Sequence, residues 1–336
     1  MIEALRSAHG ISAGDEWARF AGLDLPVPEL EKLLASVPSA ARFPRRHNAQ
    51  RIPVPETLAV PTTATMSTQE GFGRVLYEIA AGQSQLASRI VTTSPDVTVS
   101  TNLGGWVNRR GIFDRRDIKD IFKEEKIVSA QLWQMGHSGQ HIELGIAEHN
   151  LFLMLAALGL SADLFGARLL PIGTVYDPFI ARGLDALNYA CYQDARFMIV
   201  ATPSGLTLAP EGGAHQSIGA QLIGMSQDGL VSFEPAFLDE LSIIMDWSLD
   251  YLQRGGESDP DERTWLRDET GGSVYLRLST RPLEQVRVRK RGDAAFRQGV
   301  IDGGYWLRQP GPNCEVAIAY QGVIAPEAIK AAARIG

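Results

Sequence analysis

Between residues 89 and 278 the chain alternates short, wholly apolar runs with longer helical segments, and that alternation leaves few architectures open. The runs RIVTT (89–93), ARLLPIGTV (167–175), FMIVAT (197–202), 229–234 and SVYLRL (273–278) read as strands buried on both faces. Helical spacing predicts helices from Ser67 or Thr68 to about residue 83, after Glu148, over 180–192 and over 235–252. Strands without polar alternation, separated by helices, describe a mainly parallel sheet covered on both sides: a doubly wound α/β fold.

The flanks differ in texture. Residues 1–65 carry seven prolines (Pro26, Pro28, Pro38, Pro44, Pro53, Pro55 and Pro61), which interrupt helix and central strand alike. They read as an arm with one helix near 29–36, the rest being extended chain that packs elsewhere or linker. A core domain is expected over 66–285, with a charged, glycine-containing loop at 253–272. Residues 286–336 begin a second α/β unit, CEVAIAY giving a strand and the following residues a helix, and that unit reads as truncated.

Composition excludes several functions. The chain is 45% hydrophobic and 21% charged, as expected of a protein with a real core, and its net charge of −7 argues against a general nucleic-acid surface. Basic clusters at 109–110, 115–116 and 287–291 read as solvated faces or subunit contacts. Two distant cysteines, Cys191 and Cys314, have no metal-ligand spacing, and no signal peptide or membrane-spanning run is legible, so a cytoplasmic setting without a membrane role is expected.

In open α/β sheets, ligands collect at loops beyond the carboxyl ends of strands. Three such loops carry reactive residue types. SPDVTVSTNL (94–103) contains Asp96 and reads equally as a capped turn. GQHIELGIAEHN (139–150) sets Glu148 at the start of an apolar helix, where an acid also complements the helix dipole. ATPSGLTLAPEGGAHQSIG (201–219) places Glu211 and His215 on a glycine-supported loop. Between them, in TVYDPFIAR (174–182), Tyr176 and Phe179 stand three apart and form either one aromatic wall or ordinary core.

Taken in order, these segments resemble the transketolase-like pyrimidine-binding domain of thiamine diphosphate enzymes. GIAEHN is similar to its glutamate motif, SPDVTVSTN to its S-A-D-L-T-x-S-N motif, TVYDPFIARGLD to its aromatic segment, EGGAHQS to its histidine loop and GGSVYLRLS to its closing strand. The spacing G-Q-x-x-x-x-G-I-x-E, from Gly139 to Glu148, and the proline-rich arm resemble the homodimeric, single-chain dehydrogenase components of bacterial 2-oxo acid dehydrogenase complexes. The commonest pyruvate dehydrogenases carry extra histidines in the loop where this chain has only His215, which leaves the 2-oxo acid open.

The resemblance implies roles. Glu148 would hydrogen-bond the cofactor's aminopyrimidine and promote its imino form. Ile146 would support the bent cofactor, Tyr176 and Phe179 would pack on the pyrimidine, and Asp96 would lie on the cofactor side. His215 would face the substrate as a catalytic group, and Glu211 and Arg182 would line the substrate channel. The diphosphate and its Mg2+ are held in this superfamily by a G-D-G motif and paired asparagines, which this chain lacks. The implied partners are therefore a diphosphate-binding domain, a second copy in a homodimer and a lipoyl acyltransferase, and the chain alone is expected to be inactive. Ketol transfer of the transketolase or deoxyxylulose-phosphate synthase kind, and a non-catalytic dimerisation role, stay open as alternatives.

Overall fold

The computed structural model describes residues 1–23, 26–37, 49–116, 118–119, 121–129, 132–205, 207, 212–255, 270–286 and 293–335. Among the described residues ten strands form: β1 (Thr65–Met66), β2 (Ile90–Ser94), β3 (Ile112–Phe113), β4 (Met135–Gly136), β5 (His141–Glu143), β6 (Leu170–Val175), β7 (Met198–Ala201), β8 (Leu230–Phe233), β9 (Ser273–Arg277) and β10 (Leu283–Glu284). Eight of them make one sheet in the order β4-β3-β5-β2-β6-β7-β9-β8, and every neighbouring pair is parallel. β1 and β10 pair antiparallel beside it.

Every residue of β6, β7 and β9 is buried. Their side chains alternate between two cores. Ile172, Met198, Val200, Val274 and Leu276 face the helices Thr68–Ala81, Gly104–Arg110 and Leu238–Tyr251, packing with Phe72, Trp106 and Leu241. Val175, Ile199, Ala201 and Tyr275 face the helices Glu148–Gly159 and Leu184–Tyr192, packing with Leu151, Phe152 and Leu187. Each fully buried side chain of the size of Phe72 or Phe152 contributes about 1.5–3 kcal/mol through removal from water. The doubly wound α/β fold expected from the apolar runs is the one observed.

Local signals explain the boundaries. Ser67 caps the helix Thr68–Ala81, its hydroxyl accepting from the Glu70 N–H at 3.1 Å. The helix expected over 180–192 begins instead as a 3-10 turn, Asp177–Gly183, and becomes α-helical at Leu184, the turn carrying Pro178 near its start and Gly183 at its end. β3, β4 and β5 were not legible, being two or three residues long with polar members such as His141 and Glu143.

Two further expectations are corrected. Residues 314–320 form no strand; Val316 is 65% exposed, and among the described residues no strand registers with this segment. The helix that follows does form, as Ala325–Ile335, and packs with Tyr320 and Val323 against Ala236, Phe237 and Leu283. Gln253, assigned to an exposed loop, is buried, and its amide bonds both backbone groups of Ile52 (2.7 and 3.1 Å). Most of that loop, 256–269, lies outside the described residues, as does the basic run 287–291.

The Gln253 contact shows where the arm goes. Ile52 and Leu58 enter the core, Ser242 donates to the Leu58 carbonyl at 2.7 Å, and Arg168 donates to the carbonyls of Ala49 and Gln50. The helices Ile2–Ala8 and Val27–Ser36 bury no residue. Among the described residues no helix is long and apolar enough to cross a membrane.

Candidate active site

The consecutive strands β5 and β6 lie on opposite sides of β2, so the connection between them crosses the sheet and opens a crevice at the strands' carboxyl ends. Glu148 sits on that connection, at the first position of the helix Glu148–Gly159. It is only 7% exposed. Arg182 Nη1 donates to its Oε1 at 2.7 Å, while Oε2 takes no donor among the described residues. Gly183 packs closely on the same helix: a Cβ there would stand 2.2 Å from the Phe152 ring and 3.1 Å from the Glu148 carbonyl oxygen. The Arg182 side chain is half exposed and its guanidinium carbon lies 4.0 Å from the Phe179 ring centroid, a cation–π contact.

Tyr176 follows β6 directly, and three residues on its ring meets that of Phe179 at 6.0 Å. His215, from the connection after β7, completes the wall, with ring centroids 5.6 Å from Tyr176 and 5.4 Å from Phe179. Five residues named from the sequence are thus joined in one contact chain: Glu148, Arg182, Phe179, Tyr176 and His215.

Three others stand apart. Ile146, two residues before Glu148, is 78% exposed. Asp96 is exposed, adopts a left-handed backbone (φ 63°), and donates its N–H to Glu143 Oε1 at 2.8 Å; no interaction ties it to the five. Glu211 lies outside the described residues.

The structure adds two polar clusters. Beneath Asp96, the buried His141 lies between Thr92 and Thr98, each 2.9 Å from a ring nitrogen, and Thr98 donates to Glu143 at 2.5 Å. Burial opposes the Glu143 charge, but hydrogen bonds from His141, Thr98 and the Asp96 N–H outweigh it and hold its pKa below the ordinary 4.5. This cluster fixes the loop 94–103, and Thr101 joins that loop to Thr174 on β6 at 2.9 Å.

Behind the aromatic pair, the fully buried Asp177 accepts from Arg277 Nε (3.2 Å), Arg277 Nη2 (2.9 Å) and the Tyr275 hydroxyl (3.2 Å). It also accepts from the Gly205 N–H at 3.2 Å and from the Ser217 hydroxyl. Arg277 gives its remaining Nη1 to Glu234 at 2.5 Å. Burial works against the guanidinium charge, yet Asp177 and Glu234 more than offset it, so the Arg277 pKa is raised. Asp177 takes two of its N–H groups and Glu234 one. Burial, with the Asp177 charge nearby, accordingly lifts the Glu234 pKa. The sequence did carry a signal for this cluster: an arginine inside the apolar run SVYLRL must find an acid when buried.

Residues 59–258, well over half of the chain, match the family described as pyruvate dehydrogenase E1 component middle domain. The chain belongs to this middle-domain family. Curated relatives agree: it is 26% identical over 273 residues to the pyruvate dehydrogenase E1 component of Mycolicibacterium smegmatis, covering 80% of this chain and 27% of the relative. To that of Cupriavidus necator it is 22% identical over 303 residues, covering 86% and 31%. The middle-domain chain therefore spans less than a third of the length of these relatives. Its fold matches transketolase from Leishmania mexicana (TM-score 0.60, 16% identity, 92% of this chain and 37% of that one). It also matches a transketolase variant from Pichia stipitis (TM-score 0.59, 17% identity, 86% and 35%). The likeness to pyrimidine-binding domains of thiamine diphosphate enzymes, read from five motifs, thus holds at the level of family and fold.

Proposed function

We propose that this chain is the pyrimidine-binding half of a thiamine diphosphate-dependent 2-oxo acid dehydrogenase component of the pyruvate type, acting in the cytoplasm. The observation that carries the reading is the buried Glu148 carboxyl, whose Oε2 takes no donor among the described residues and which is linked through Arg182 to the wall of Phe179, Tyr176 and His215. A flat, nitrogen-bearing ring suits that donor set: a carboxyl for a ring nitrogen and aromatic faces for stacking. The bound cofactor would supply electron-sink chemistry at its thiazolium carbon.

The protein's own part follows from position. Glu148, shielded by the apolar helix it begins, would hold the aminopyrimidine through Oε2 and govern its proton. Tyr176 and Phe179 would fix the ring's plane, and His215 would give a proton or hydrogen bond to the 2-oxo acid. Ile146, exposed two residues before Glu148, would support the cofactor once a partner covers it. Asp96 and Glu211 are assigned to the cofactor side and the substrate channel, respectively, on the family resemblance alone.

The diphosphate and Mg2+ are assigned to a diphosphate-binding domain, with a homodimer and a lipoyl acyltransferase completing the assembly. Exposed apolar side chains support a protein-covered surface: Ile146, Leu153, Tyr189, Tyr192, Ile218 and Met225, on the site's segments and the helices that follow them, are each at least half exposed. Ketol transfer would call on a cation for a sugar phosphate, and Arg182 is already shared between Glu148 and Phe179, which weighs against that reading.

The test is Glu148→Gln in enzyme reconstituted with the diphosphate-binding domain, read by NMR exchange of the thiazolium proton. Loss of a positioned acid–base group predicts a slowing of roughly 10²–10⁴-fold. Exchange at the wild-type rate would sink the assignment.

A further inference from the structure

We propose that Asp177 is a positioning residue: its buried carboxylate clasps both ends of the His215 loop and thereby seats the imidazole on Tyr176 and Phe179. The inference rests on the reading of His215 as the substrate-facing group.

A carboxylate offers about four lone-pair sites, and five donors already converge on this one. Asp177 therefore has no capacity left for a ligand, and its role is structural selection, not chemistry. Neutralising Arg277 explains only part of the arrangement, because Glu234 also pairs with that guanidinium. The bonds to Gly205 and Ser217 do nothing for Arg277. They come from the two ends of the loop that carries His215, and those ends are also joined directly, Ser217 N donating to the Gly205 carbonyl at 3.0 Å.

Gly205 meets the geometry with a left-handed backbone (φ 61°), which brings its N–H onto the carboxylate. The acid that grips the loop lies one residue after Tyr176 and two before Phe179, so one short 3-10 turn and the residue that precedes it supply both the grip and the two rings. Fixing both ends of a loop removes most of the freedom that would let a ring drift from its partners. A proton donor needs that fixity, since its placement must hold to within about 0.5 Å.

The experiment uses the whole chain without cofactor. The His215 imidazole resonance is assigned among six histidines with His215→Asn. Ser217→Ala removes one loop-side bond and leaves the Asp177–Arg277 pair intact; Asp177→Asn keeps the shape and removes the charge. Both are expected to unfold cooperatively, to move the His215 resonance toward that of a solvent-exposed histidine, and to speed amide exchange at Gly213–His215. A hydrogen bond to a charged acceptor, once lost, corresponds to roughly tenfold or more in that opening equilibrium. Folded variants with unchanged resonance and exchange would overturn the clasp. In reconstituted enzyme, Ser217→Ala should lower kcat with little change in KM. A shifted resonance with unaltered turnover would leave the clasp standing and remove His215 from the chemistry.

Discussion

The turn Asp177–Gly183 packs closely on the helix Glu148–Gly159 because residue 183 has no side chain, and this gives a prediction confined to single atoms. Gly183→Ala places a methyl group 2.2 Å from the Phe152 ring, so either that ring or the turn must move. Overpacking of this kind costs about 1–3 kcal/mol, to be read as a lowered denaturant midpoint at unchanged slope. Only the Arg182 end of the ion pair is half exposed, and Arg182→Gln keeps a donor for the buried Glu148, so that variant should lose less stability than Gly183→Ala; an Arg182→Gln protein as unstable as Gly183→Ala would show that packing is not the cause. At this scale the sequence was informative in an uneven way. Glu148, Tyr176, Phe179 and His215 stood out because they fall in spaced motifs on strand-following loops, and all four meet in one contact chain. Arg277 is marked only as a charge inside an apolar run and Asp177 not at all, since the two pair across 100 residues and no local spacing expresses such a pairing.

At the scale of elements, the arm is held to the core by polar stitches as much as by Ile52 and Leu58. Gln253 satisfies the N–H and the carbonyl of Ile52, both buried, and Ser242 satisfies the carbonyl of Leu58. Gln253→Leu strands the Ile52 groups at a cost of about 1–3 kcal/mol for a buried unmade bond. Segment 49–58 should then open locally, and tryptic cleavage after Arg51, now paired with Asp250, should quicken while the sheet's amides stay protected. Cleavage at the wild-type rate would mean that Ile52 and Leu58 anchor the segment unaided. The same contrast explains which elements were legible. β6, β7 and β9 announce themselves because burial on both faces forces an unbroken apolar run. β5 ends in His141 and Glu143, whose polarity is satisfied by Thr92 and Thr98 from other segments, so its sequence does not read as a strand. The opposite error occurs at 314–320: alternating apolar residues have strand character, but a strand needs a neighbour to take its backbone bonds, which alternation cannot promise.

Across the whole molecule, acids buried away from water set the response to pH. Burial raises the pKa of Glu240 against the hydrogen bonds from Tyr305, Phe237 and Ala236, and burial likewise raises Asp246 against Arg297. A raised carboxyl keeps its proton in the folded state after the unfolded chain has lost it. The folded state then binds more protons between the ordinary value, 4.5 for glutamate, and the raised one, so stability falls as pH rises through that window. Glu143, whose pKa is lowered, acts in the other direction and costs stability as pH falls below 4.5. The Tm of Glu240→Gln relative to wild type should therefore climb as pH is raised from 4.5 toward neutrality. A difference that stays flat would place the ionisation elsewhere.

The order of the sheet has a consequence of a different kind. Glu148 belongs to the connection after β5 and His215 to that after β7, with β2 and β6 between. Strands lie roughly 4.8 Å apart, so those two strand ends are separated by about 14 Å. The sheet is in effect a gauge block, and its graduations are backbone hydrogen bonds that side-chain replacement leaves alone. Evolution or an engineer can exchange what projects from either end, and so change which molecules are gripped. The span between the two grips changes only if the loops lean differently or a strand is gained or lost.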